Sequence, residues 1–275
     1  MEHSNKLLTY LKTFILTVLA LFYLTPFILV LYNSVKPTKE FLENPIALPK
    51  VFNLNNFYEA FDKMNFLSGF MNTLIITSLS VILIVIFSSM TAYGLVRRKT
   101  KLSNVLFMMF VAAMIIPFQA IMIPLVKIYG SLGLLNNMFT LIYMYIGFGA
   151  PMAIFIFHGF IKTIPLEIEE AAMIDGCSKL RTFYQIVFPL LKPIIMSLVI
   201  LDVLWIWNDF LLPSLVLIKP AQRTLPLSTF YFFGTYTVNY GLLMAGLLMT
   251  ILPVLVIYVF LQKYIIEGVM QGSIK

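Results

Sequence analysis

Charge, cysteine and histidine are all scarce in this sequence. Of its 275 residues, 11% are charged and 60% are hydrophobic, whereas soluble domains carry about a quarter charged residues. That balance excludes an ordinary water-soluble domain. A single cysteine, Cys177, excludes a disulfide within the chain, and with His3 and His158 as the only histidines a Cys/His zinc site lacks ligands. No metal and no cofactor is expected. A membrane-embedded hydrolase would need a nucleophile with its base, or metal ligands, within the apolar runs, and neither is recognisable.

What the chain has instead is length of apolar sequence, with uncharged stretches of up to 39 residues. A transmembrane barrel would alternate apolar and polar residues in segments of about 10, whereas a bilayer-spanning helix needs about 20 apolar residues. The fold class is therefore all-α, a polytopic membrane protein with six transmembrane helices, in apolar runs near 13–32, 70–95, 102–126, 139–161, 193–217 and 242–262. Lys6 and Lys12 precede the first run as in a signal peptide. That run is too long for a signal core and no small-x-small cleavage site follows, so it reads as an uncleaved anchor.

With the amino terminus inside the cell, twelve basic residues fall on the cytoplasmic side and seven outside, most of those in the long 33–69 loop. The excess predicts that both termini are cytoplasmic. The formal charge of +7 is thus an orientation signal and does not call for nucleic acid. The cluster Arg97, Arg98, Lys99 and Lys101 reads as a topology anchor, with anionic lipid or a partner as the alternative.

The longest cytoplasmic connection, 162–193, carries a pattern. Pro165 suits a first helical position, Glu167, Glu169 and Glu170 suit the positive end of a helix dipole, and Gly176 suits the left-handed residue that ends a helix. Ser178 can cap a second helix running towards Pro189. Leu166, Ile168, Met173 and Ile174 make the first helix too apolar for full solvation, so it either docks into a partner's groove or lies on lipid headgroups. Glu170-Ala171-Ala172, three residues, Gly176, nine residues, Ile186, one residue and Phe188-Pro189 resembles the EAA signature of bacterial ABC-importer permeases, EAA-x3-G-x9-I-x-LP. The one departure is Phe188 where the family usually has Leu. Tyr32 to Pro37, Trp207-Asn208-Asp209-Phe210 and the tail Gly268 to Lys275 resemble the carbohydrate-uptake branch, the maltose-type inner-membrane subunits.

The resemblance implies a type I ABC importer permease fold, in three parts: 1–69 as an N-terminal helix and external loop, 70–262 as the permease domain with the coupling loop at 162–193, and 263–275 as a cytoplasmic tail. It implies half of a translocation pathway for a sugar, an oligosaccharide by preference, with a glycerol phosphate as the alternative substrate. The implied partners are a second homologous permease, a cytoplasmic ATPase dimer and an extracytoplasmic sugar-binding protein, all at the bacterial inner membrane. Glu170, Ala171, Ala172 and Gly176 would couple to the ATPase, and Gly272 to Lys275 would be a second contact. The chain has no G-x-x-x-x-G-K-[ST] phosphate loop, so ATP hydrolysis belongs to the partner and this subunit is no enzyme. An ion-coupled carrier is less favoured: no internal repeat is evident, and such a carrier needs no EAA loop.

Intramembrane carboxylates are costly and therefore functional candidates. From Lys192, Asp202 lies about 15 Å into the fifth run and Asp209 about 10 Å farther. Spacing places Asp202, Trp205 and Asp209 on one helix face, with Asn208 at its flank and Trp207 opposite. This stripe either lines the substrate pathway or holds a helix or subunit interface. Asn72, Thr73, Thr77, Ser80, Ser88, Ser89 and Gln119 are expected in interhelical hydrogen bonds, and His158 in a structural role. The topology itself is testable in a Cys177→Ser background. Cysteines introduced at positions 45 and 225 should label from outside and those at 100 and 175 only after permeabilisation; outside labelling at 175 would overturn the orientation.

Overall fold

A computed structural model describes residues 2–232 and 238–273 of the chain. In chain order its helices are α1 (Glu2–Ser34), α2 (Thr38–Glu43), α3 (Asn55–Lys63), α4 (Phe66–Arg97), α5 (Lys101–Ala113), α6 (Phe118–Ser131), α7 (Met138–Ile161), α8 (Leu166–Ile174), α9 (Lys179–Thr182), α10 (Phe188–Leu190), α11 (Lys192–Asn208), α12 (Leu211–Val216), α13 (Leu225–Ser228) and α14 (Tyr240–Ser273). A π-helical turn, Phe183–Val187, joins α9 to α10. Helix α14 runs without interruption from Tyr240 to Ser273, through position 263 where the tail is expected to begin. Ile274 and Lys275, the end of the tail proposed as a second contact, lie outside the described residues.

Among the described residues, four helices are long and apolar enough to cross a bilayer unaided: Leu8–Ser34 within α1, α4, α7 and Tyr240–Phe260 within α14. The third expected span, 102–126, is bent, and a second bend lies just before the fifth, 193–217. α5 and α6 meet at 98°, and Lys179–Leu190 meets α11 at 75°, so the count reaches six only when each bent pair is one span. At the first bend Pro117 lacks an N–H and disfavours helical geometry at Ile116. The chain turns there on short-range bonds from the Met114 N–H to Val111 O (3.2 Å) and from the Ile115 N–H to Ala112 O (3.1 Å).

Contacts divide the chain into two compact units, Met1–Phe66 with Thr229–Leu252, and Leu67–Ser228 with Pro253–Lys275. In the first, the segment Tyr32 to Pro37 is an organised knot. Lys36 is fully buried. Its ammonium donates to Asn44 O (3.2 Å) and to Ala47 O, and sits 4.8 Å from the centre of the Tyr32 ring. Tyr32 Oη donates to Ile46 O (2.8 Å), Asn33 Nδ2 to Pro45 O (2.9 Å), and Asn56 Nδ2 to Ser34 O (2.9 Å) and Lys36 O (2.8 Å). Burial pushes the Lys36 pKa down from the usual lysine value, with the Glu40 charge opposing. Thr38 Oγ1 donates to Asn239 Oδ1 at 2.7 Å, and Phe41 stacks on Tyr240 at 4.6 Å.

The second unit is built on α4, α7 and α11, whose buried Ile76, Ile84, Leu141, Tyr145, Phe157 and Leu198 form one core. Gly149 lets α7 close on α4: a Cβ there would sit 2.6 Å from Ile84 Cδ1. Polar groups tie the 216–225 segment down. Asn72 Nδ2 donates to Ala221 O and Arg223 O, Thr73 Oγ1 accepts from the Leu225 N–H at 2.7 Å, and Asn136 Oδ1 accepts from the Ile218 N–H at 2.7 Å. Thr77, Ser80 and Ser88 depart from the expected pattern. Their hydroxyls are buried without a partner among the described residues, and they serve α4 as small side chains that permit close approach. His158 stacks on Phe107 at 3.7 Å.

Leu225 is fully buried, so the outer labelling site belongs at exposed Ala221 instead. Lys36→Met keeps the buried stem and removes its donors from two loop carbonyls. The expected cost is about 1–3 kcal/mol, read as lower heat stability and faster proteolysis between residues 44 and 53. Unchanged proteolysis would show that the ammonium does not hold this loop.

Candidate functional site

Among the places in the second unit where polar groups meet open space, two involve the residues singled out in the sequence. The first is a cavity of about 520 Å³ whose walls include Met114, Phe118, Gln119, Phe148, Trp205 and Asp209. It forms where helices break. The α5–α6 bend makes one wall, mid-α7 a second and the α11–α12 junction a third. The four residues Trp207 to Phe210 explain that junction. Trp207 is a buried anchor, edge-on to Phe70 at 5.9 Å. Asn208 Nδ2 folds back to Leu204 O at 2.8 Å. Asp209 leaves the helix with extended backbone (φ −69°, ψ 131°), and its Oδ1 accepts from the Leu211 N–H at 3.0 Å, a local bond that competes with helix continuation.

Because α11 ends at Asn208, the expected common face of Asp202, Trp205 and Asp209 is not realised. Trp205 and Asp209 meet at the cavity; Asp202 is buried elsewhere in α11, its Oδ2 without a hydrogen-bond partner among the described residues, and Asn208 is exposed. Tyr145, which sequence reasoning missed, organises the site. Its hydroxyl donates to Asp209 Oδ2 at 2.8 Å and its ring meets Trp205 edge-on at 5.6 Å. Nothing in the sequence links residues 64 positions apart. Gln119, expected in packing, lines the cavity. Each oxygen of Asp209 already accepts one bond, and the walls also present aromatic faces and the Gln119 amide. That surface suits a neutral, hydroxylated ligand with an apolar side.

The second place is the 162–193 loop. Helix α8 begins at Leu166, one residue later than expected, with Pro165 extended before it (ψ 134°). It ends in a Schellman turn. Gly176 has φ +89°, the Cys177 N–H reaches Ala172 O (3.0 Å) and the Gly176 N–H reaches Met173 O (3.1 Å), the bond pair that defines this stop. Ser178 caps α9 through the Arg181 N–H at 3.3 Å. Phe188 edges onto Phe183 at 5.9 Å, and Phe183 lies 5.1 Å from Tyr93; the departure from Leu at 188 thus adds a ring to an aromatic cluster.

The four motif residues divide. Glu170 and Ala171 are exposed, Gly176 forms the exit turn, and Ala172 is buried in the chain's own packing. Leu166, Ile168 and Ile174 are exposed beside Glu170, Ile174 by 86%. Glu169, the neighbour that the pattern passes over, is 1% exposed. It accepts from Arg97 Nε at 2.8 Å and from Tyr93 Oη at 2.8 Å. Arg97 therefore turns into the protein, and Arg98, Lys99 and Lys101 alone of that cluster remain exposed. Three carboxylates within four residues give no sequence signal for which one turns inward.

A helical membrane bundle with a cavity at its helix breaks and an apolar helix displayed on a loop has the build of a transport subunit. The family model for binding-protein-dependent transport system inner membrane components matches residues 84–270, and the chain belongs to that family, whose members are transport components of ABC importers and not enzymes. A permease protein assigned to the transport of starch degradation products in Thermoanaerobacterium thermosulfurigenes is 46% identical over 97% of both chains. The melibiose/raffinose/stachyose import permease MelC of Bacillus subtilis is 36% identical, covering 96% of this chain and 95% of the relative. A solved bacterial ABC transporter involved in alginate import contains a chain of the same fold, with TM-score 0.80, 22% identity and coverage of 95% of this chain and 97% of that one.

Trp205→Ala removes an aromatic wall and Asp209→Asn removes the acceptor charge that holds Tyr145. If the cavity receives substrate, each should cut uptake about 5- to 100-fold, to a different degree for different substrates, with assembly intact. Equal losses for every substrate together with a lowered thermal midpoint would mark a purely structural role.

Proposed function

We propose that this chain is one half of the translocation pathway of a sugar importer, with an oligosaccharide as its substrate. It pairs with a second, homologous permease. A cytoplasmic ATPase dimer grips α8, and an external binding protein delivers the sugar. Both termini lie in the cytoplasm. Hydrolysis of ATP takes place on the partner, and the permease contributes alternating access.

The observation that carries this reading is the display of α8. Its outward side presents Glu170, Ala171 and three large apolar residues, too much apolar surface for a helix facing water. Its exit is fixed by the Schellman turn at Gly176, so a force applied to it is not lost in a flexible loop. The low relief of Ala171 allows a close approach by another surface. The aromatic and amide walls of the cavity support a sugar, since pyranose rings offer an apolar side to aromatic rings and hydroxyls to amides. No basic residue lines that cavity, which disfavours a phosphate-bearing substrate. The substrates in the relatives' names, starch degradation products and raffinose-type sugars, agree with this preference.

Ala172 is buried, so the position that tests docking is Ala171. Ala171→Trp blocks close approach, and Gly176→Pro removes the N–H donated to Met173 and imposes a negative φ. Both chains should insert in the membrane yet fail to co-purify the ATPase, with uptake reduced at least about tenfold. Normal ATPase binding and uptake in both would overturn the docking assignment.

A further inference from the structure

We propose that Arg97 and Glu169 form the joint through which α8 moves the membrane bundle, making them positioning residues for transport. The inference deepens the reading above and rests on it. Of the nine residues in α8, Glu169 and Ala172 are buried. Ala172 offers one methyl group, which resists sliding weakly. Glu169 offers a carboxylate held at both oxygens: Oε1 by Arg97 Nε at 2.8 Å and by Arg97 Nη2 at 2.6 Å, Oε2 by Tyr93 Oη at 2.8 Å. Charge-assisted bonds of this kind are directional and roughly twice as strong as neutral ones.

The guanidinium is shared further. Arg97 Nη2 also donates to Ile161 O (3.3 Å) and Ile164 O (3.2 Å). Ile161 is the last residue of α7, and carbonyls at a helix C-terminus attract a cation. Arg97 itself ends α4. One side chain thus joins the cytoplasmic ends of α4 and α7 to the helix on which we place the ATPase contact.

From Ile161, α7 runs back 16 residues to Tyr145, about 24 Å at 1.5 Å per residue, and Tyr145 holds Asp209 in the wall of the membrane cavity. Along the way Gly149 packs closely on Ile84 of α4. Displacing α8 must either break the buried pair or carry α4 and α7 with it. Pulling the half-buried guanidinium away leaves the buried Glu169 carboxylate uncompensated, which is strongly unfavourable, so the second course prevails. A cavity of about 460 Å³ beside the pair, lined by Met173, Leu180 and Phe183 among others, gives α8 room to tilt about this contact.

The test uses the complete importer in liposomes, with its binding protein and sugar. Glu169→Gln keeps the shape and removes the charge, Arg97→Lys keeps the charge and loses the fork, and Tyr93→Phe removes one donor and serves if Glu169→Gln fails to assemble. The readouts are ATPase co-purified per permease and sugar transported per ATP hydrolysed. The expected result is normal ATPase binding with sugar per ATP reduced about tenfold in Glu169→Gln, and by about two- to threefold in Arg97→Lys and Tyr93→Phe. An unchanged ratio, or uptake that falls only in step with the amount of assembled complex, would overturn the joint. A wild-type chain that binds no ATPase would overturn the functional reading itself, which the variants do not address.

Discussion

A helix that stops inside a bilayer leaves carbonyl and N–H groups that lipid cannot satisfy, and this constraint decides where the chain can do anything other than cross. Two of its breaks within apolar runs are closed by local bonds. The α5–α6 bend uses tight turn bonds before Pro117. At the α11–α12 break the Asp209 carboxylate takes the Leu211 N–H that the interrupted helix released. Both breaks border the same cavity. The places where regular structure fails are therefore the places where space and polar groups coincide, and a hydrophilic solute needs both.

The same logic appears at the loop helix in a different form. Helix α8 contributes little apolar burial to its own chain, and its position is set instead by a charge pair and a glycine-dependent stop. Such contacts are strong along a few directions and weak in others, unlike a packed core, which resists displacement in all of them. The π-helical turn that follows, Phe183–Val187, is a further departure from regular α-geometry, of a kind often found at functional sites. Between it and α4, Tyr93, Phe183 and Phe188 pack ring against ring, so the turn is held by large apolar surfaces while the pair beside it is held by charge.

The segment around Lys36 follows the rule that a buried charge must be saturated with hydrogen bonds. Its ammonium satisfies backbone carbonyls of the loop 44–47 that would otherwise lack donors. The motif Tyr32 to Pro37, recognisable as a string of letters, is thus the fastening of a loop. Its conspicuous Lys is hidden, which a reading of the segment as a solvated outer loop would not foresee.

Sequence by itself determined the class of the molecule, because an excess of long apolar runs leaves a helical membrane protein as the outcome compatible with backbone hydrogen bonding in lipid. It also located the loop helix and its stop, since glycine at 176 and serine at 178 act on their own neighbours. Local chemistry is legible in local sequence. Tertiary structure alone decided which carboxylates are buried and what they bond. Helical periodicity aligned Asp202 with Asp209, yet the helix ends one residue before Asp209, whose side chain caps the next turn; Glu169 and Glu170 are adjacent in sequence and opposite in burial. Tyr145 with Asp209, and Arg97 with Glu169, are 64 and 72 residues apart. No periodicity spans such distances, because the partners meet only after the helices carrying them have packed.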